Sequence, residues 1–101
     1  MRDVNEIIIH CTATRANWMI DNTADEVVAE LTRWHVEDNG WQDCGYHHVI
    51  TRAGEVSAAR PEDTSGAHCR GKNKRSIGVT LCGGRGGQED DSFEDNFTAA
   101  Q

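Results

Sequence analysis

Five histidines in 101 residues, His10, His35, His47, His48 and His68, are the side chains of this chain best suited to do chemistry. Zinc hydrolases use two or three neutral imidazoles, thiolates or carboxylates and keep one position open for a water whose pKa the metal lowers to about 7. Four cysteines, Cys11, Cys44, Cys69 and Cys82, could add thiolates. Their wide spacing contains no Cys-x-x-Cys pair, so neither a zinc ribbon nor a dithiol redox motif is indicated. Without a secretory leader they are expected as reduced thiols, mostly small buried fillers. A second chemical cluster is basic: Arg70, Lys72, Lys74 and Arg75 put four of the ten cationic residues within six positions, a solvated loop that could grip an anionic ligand.

The elements that must position these groups can be read from hydrophobic pattern and punctuation. Glu6 to Cys11 predicts a strand, because Ile7, Ile8 and Ile9 are β-branched and continuous, as in a strand covered on both faces. His10 closes it. Thr23 to Glu26 matches a capping box, and Val27, Val28, Leu31, Trp34 and His35 then fall on one face of a helix over 24–39, with Asn39 and Gly40 as the stop. His35 is thereby expected in the core. Tyr46 to Thr51 reads as a strand opened by His47 and His48, Ala53 and Gly54 as a tight turn, and Glu55 to Ala58 as the hairpin partner. Alternation sends His47 and His48 to opposite faces, so at most one can join His10. Ser76 to Cys82 is a further strand, and Gly83 to Gly87 a loop. Thr98 to Gln101 repeats the capping-box pattern at the chain's end.

Composition bounds the class. The length suits one domain, residues 1–101, and a net charge of −7 from 10 basic and 17 acidic residues argues against broad contact with nucleic-acid backbone. Acidic residues gather in Glu89, Asp90, Asp91, Glu94 and Asp95. No run approaches the roughly 20 apolar residues of a membrane span. The first residues, Met1-Arg2-Asp3-Val4-Asn5-Glu6, lack the basic and then apolar stretch of a secretory signal, so cytoplasmic synthesis is expected.

In order along the chain, Ile7 to Thr14 with its His10, Trp34-His35, Gly40-Trp41, Gly45-Tyr46-His47, Arg52 to Gly54, Gly66-Ala67-His68, Ser76 to Val79 and Phe97-Thr98 resemble the type 2 N-acetylmuramoyl-L-alanine amidases. The nearest likeness is to the short phage lysozymes of that group, which share a fold with peptidoglycan recognition proteins. The resemblance implies an α/β fold, a central mixed β-sheet flanked by helices, and a Zn2+ ion at the edge of a groove that holds bacterial peptidoglycan. The implied reaction hydrolyses the amide between N-acetylmuramic acid and L-alanine, in a phage or prophage endolysin that reaches the wall after release. His10 matches the first zinc ligand. Tyr46 matches the tyrosine beside the metal, whose hydroxyl can both donate and accept. His68 matches a groove histidine, and Lys72, Asn73 and Ser76 match the segment leading into the next strand, all as substrate contacts.

The resemblance also implies that the family's second histidine ligand, its third ligand and the residue near the bound water lie beyond the helix that starts at Phe97-Thr98. The expectation is therefore of the first two-thirds of an amidase domain, with one zinc ligand, low stability and an apolar sheet face left bare. Cys11 should point away from His10, whereas Cys82 and His68 could approach it only from neighbouring strands. Two functional readings follow: an amidase, or a form without hydrolysis that binds peptidoglycan fragments or regulates a partner, a gene remnant being the limiting case.

Overall fold

The computed structural model describes residues 2–84 and 96–101. The acidic run at 89–95 and the end of the expected glycine-rich loop, 85–87, lie outside these residues. The elements run β1 (Glu6–Cys11), α1 (Ala24–Arg33), a π-helical turn (Trp34–Asp38), β2 (His48–Ile50), β3 (Val56–Ala58), a 3-10 turn (Asn73–Arg75) and β4 (Ser76–Leu81). The four strands form one mixed sheet in the order β1-β4-β2-β3, with β4 parallel to both β1 and β2, and β3 antiparallel to β2. The α/β class and mixed sheet are those expected.

Local chemistry starts α1. Thr23 Oγ1 accepts from the Glu26 N–H at 3.2 Å while a Glu26 carboxylate oxygen accepts from the Thr23 N–H at 2.9 Å, which completes the capping box. Glu55 takes the N–H of Ala24. The predicted helix over 24–39 breaks register after Arg33, where the backbone widens into the π-helical turn before Gly40, at φ +71°, ends it. Such single π turns cluster at functional sites.

The core lies between α1 and one sheet face. Val27, Leu31, Cys44, Val49 and Cys82 are buried together, with Trp18, Met19, Trp34 and Tyr46 packed against them. Pairing defines the two faces: Val49 opposes Thr80 and Ser57, so these side chains share the α1 face, whereas Ile7–Ile77 and Ile9–Val79 share the other. That second face corrects an expectation. Ile7, Ile9 and Val56 are 67%, 60% and 58% exposed, so β1 is an edge strand covered on one side only. The cysteines divide similarly: all four are free, Cys44 and Cys82 buried as fillers, Cys11 exposed on the bare face. No helix among the described residues is long and apolar enough to cross a membrane.

Candidate active site

On the α1 face, the C-terminal half of β1 carries His10 toward a cluster of rings. Its imidazole lies 5.4 Å from the Tyr46 ring and 5.0 Å from that of His68, centroid to centroid. Parallel pairing places His10 beside Thr80, whose fully buried hydroxyl faces Tyr46. His35 lies between Trp41, at 4.7 Å, and Tyr46, at 5.6 Å.

The hydrogen bonds set the proton positions. Ser76 Oγ donates to the Lys72 carbonyl at 2.8 Å, so toward His68 Nε2, at 3.3 Å, it can only accept. His68 Nε2 then carries the proton, leaving Nδ1 as the acceptor for His10 Nε2–H at 2.8 Å. His10 is thereby tied up on one nitrogen. A metal at that Nε2 would displace His68, while His10 Nδ1 keeps its lone pair. Burial lowers the His10 pKa, and burial together with the His10 and His47 imidazoles pushes His68 down to about 4, so both rings are neutral at pH 7.

Three other groups hold this cluster. Asn73 Oδ1 accepts from the N–H groups of His68, at 3.0 Å, and Cys69, at 2.9 Å. The His68 ring lies on the backbone of β4 so closely that a Cβ on Gly78 would sit 2.5 Å from its Cγ. His47, fully buried, accepts the Gly78 N–H on Nδ1 at 3.0 Å and donates from Nε2 to the Thr64 carbonyl at 2.8 Å. Burial lowers its pKa. His35 Nδ1 likewise accepts from Gly45 N–H at 2.8 Å, and burial keeps it neutral. Burial raises the Tyr46 pKa above its ordinary value, so the phenol remains an O–H donor at neutral pH.

The structure therefore brings His10, Tyr46 and His68 together and redistributes the rest. Ser76 is fully buried, which corrects its expected role: it supports His68 and has no surface for a ligand. Lys72 faces Glu6, at 4.0 Å, and lines a hollow of about 670 Å³ with Lys74 and Arg75 at the start of β1 and β4. Asn73 also lines the groove beside His68, about 370 Å³, together with Trp41 and Arg70. His48 points away and meets Glu62 at 2.7 Å. His35, expected in the core, instead buttresses Tyr46. Arg60 went unsuspected: its guanidinium binds the carbonyls of Asp43, Cys44 and Ser65 and pins the loop that leads into Tyr46. Nothing in its local sequence marks it.

A zinc site is not complete here. Among the described residues no three His, Cys, Asp or Glu side chains converge on one point. Cys11 is on the opposite face, and Cys82 is a buried thiol with its pKa raised to about 11 by desolvation. With His10 and His68 joined by a hydrogen bond, the described residues offer one imidazole donor, His10 Nδ1, short of the three protein ligands a catalytic zinc takes.

The family model described as N-acetylmuramoyl-L-alanine amidase matches residues 1–101. The chain belongs to this family. Similarity to the endolysin of Klebsiella phage KP32 is 42% identity over 100 residues, 99% of this chain and 60% of that protein. The amidase fold is equally clear in three dimensions. The N-acetylmuramoyl-L-alanine amidase LysC from Clostridium intestinale superposes with a TM-score of 0.65 at 27% identity, over 80% of this chain and 48% of the other. Peptidoglycan recognition protein-LE, solved in complex with tracheal cytotoxin, a monomeric diaminopimelic acid-type peptidoglycan, gives 0.68 at 26% identity, over 81% and 48%. The chain thus spans about 60% of the endolysin's length and about half of each solved relative.

Proposed function

We propose that this chain carries the His10–Tyr46 part of a peptidoglycan amidase site of the phage endolysin type, acting on the amide between N-acetylmuramic acid and L-alanine. The observation that carries the reading is the neutral His10, Tyr46 and His68 cluster beside a groove, in a chain matched throughout by the amidase family. Tyr46 is a protonated donor held against His10 and His35, suited to hydrogen-bond the scissile carbonyl as negative charge builds on its oxygen. Arg70, in the groove beside His68, offers a guanidinium to the carboxylates of a stem peptide. Wall peptidoglycan is the proposed partner, reached after cytoplasmic synthesis. Zinc is the proposed cofactor, with His10, whose Nδ1 keeps its lone pair, as the donor proposed for this chain.

The second reading, binding of peptidoglycan fragments without hydrolysis, is favoured by the incomplete donor set. Incubation of the protein with a disaccharide–tetrapeptide and zinc, read by mass, separates the two. Free disaccharide plus tetrapeptide, absent with His10→Ala, is the result expected of the amidase. Binding with the ligand left intact supports the second reading.

A further inference from the structure

A second groove opens beside the segment that follows His10. It has a volume of about 460 Å³ and is lined by Thr12, Thr14, Arg15, Asn17, Trp18 and Trp34. The Trp18 and Trp34 rings lie 5.2 Å apart at 40°, and both are half-buried, packed against the core while still lining the groove. The wall facing them is equally fixed. Thr12 Oγ1 accepts from the Gly83 N–H at 3.0 Å, and the Thr14 N–H donates to the Gly83 carbonyl at 3.1 Å. Between them Ala13 adopts φ +57°, and Met19, after Trp18, adopts φ +50°. Left-handed backbone at non-glycine residues persists only where the surroundings hold it.

The chemistry of this groove differs from that beside His68. It contains two indole faces, two hydroxyls and an amide, with a single cation, Arg15, and no carboxylate. Indole faces are negative, and the C–H faces of a pyranose ring are weakly positive; hydroxyl and amide groups suit its polar edge. A preformed aromatic platform also costs little entropy on binding. Position agrees with chemistry. Thr12 is two residues beyond His10, and Trp34 precedes His35, whose ring touches Tyr46.

We propose that the Trp18–Trp34 groove is the sugar subsite, taking an N-acetylhexosamine ring of the glycan while the anionic stem peptide lies in the groove of Trp41, His68 and Arg70. The assignment rests on the amidase reading for its substrate class and divides that substrate's two arms between two surfaces, with the scissile amide at His10 and Tyr46.

The test is proton–nitrogen NMR of the protein, with its three indole N–H signals as reporters, titrated separately with tri-N-acetylchitotriose and with the tripeptide L-alanyl-γ-D-glutamyl-diaminopimelate. Expected are saturable shifts of Trp18 and Trp34 with the sugar and of Trp41 with the peptide. Trp34→Ala should weaken sugar binding by about 5-fold or more. Asn17→Ala and Arg15→Ala, at exposed positions that keep the fold, should weaken it about 2-fold to 5-fold and leave peptide binding unchanged. Sugar shifts confined to Trp41, or none that saturate at Trp18 and Trp34, overturn the subsite even where a disaccharide–tetrapeptide is cleaved. Saturable sugar shifts at both tryptophans with no amide cleavage would sink the amidase reading and leave the sugar site standing.

Discussion

Tyr46 and His10 sit within ring contact of each other, yet they reach that position by different means, and their substitutions should separate accordingly. Tyr46→Phe removes a donor and keeps the packed ring, so hydrolysis of a disaccharide–tetrapeptide should fall by about 100-fold while the thermal midpoint stays put. Gly78→Ala should act on His68 from below. Its new Cβ would collide with the ring on the strand backbone, so the His10–His68 hydrogen bond should be lost, seen as a change in the His68 imidazole nitrogen shifts. Protonation is a third handle. His35, His47 and His68 all have pKa values below 6.5 in the folded chain, His68 at about 4, chiefly because of burial. Between about 4 and 6.5 the unfolded chain therefore binds more protons than the folded one, so stability present above pH 6.5 should drain away as pH falls through that window. Urea unfolding at pH 7 and pH 5 measures it; equal or greater stability at pH 5 would contradict the neutral, hydrogen-bonded placement of these rings.

The elements show where residue pattern suffices and where packing decides. Thr23 and Glu26 contain the start of α1 in their own chemistry, and β1 begins and ends where its isoleucines and the polar residues around them indicate. The π-helical turn at Trp34–Asp38 has no comparable signal, because a periodic apolar face reads alike on an α-helix and on a slightly widened one. The three consecutive isoleucines suggested a doubly covered strand, but continuity of apolar residues says nothing of what lies on each side. The site was legible in part: His10, Tyr46 and His68 do converge, whereas burial of Ser76 and the buttressing by His35 and Arg60 depend on contacts between segments far apart in sequence. Thr23→Ala should cost about 1 kcal/mol, read by urea unfolding. Leu31→Ala, at the centre of the core, should cost about 2–5 kcal/mol by the same method, more than the cap because a cavity is left among Val27, Val49 and Cys82.

At the scale of the whole molecule, one face of the sheet is packed under α1 and the other presents Ile7, Ile9 and Val56 to solvent beside an edge strand. Bare apolar surface next to unpaired backbone groups favours association. Ile7→Lys with Ile9→Lys should reduce concentration-dependent association, measured by sedimentation velocity, without altering ligand binding on the α1 face. The two faces should therefore separate by mutation. The proposed site rests on His10 and Tyr46 lying together on the α1 face, and one experiment addresses it directly: native mass spectrometry of the protein with zinc and a disaccharide–tetrapeptide, beside His10→Ala. The expected spectrum shows the ligand held and converted to disaccharide and tetrapeptide by the unmodified chain, with conversion lost in His10→Ala. A ligand neither held nor cleaved, or one cleaved equally by both proteins, would contradict the site.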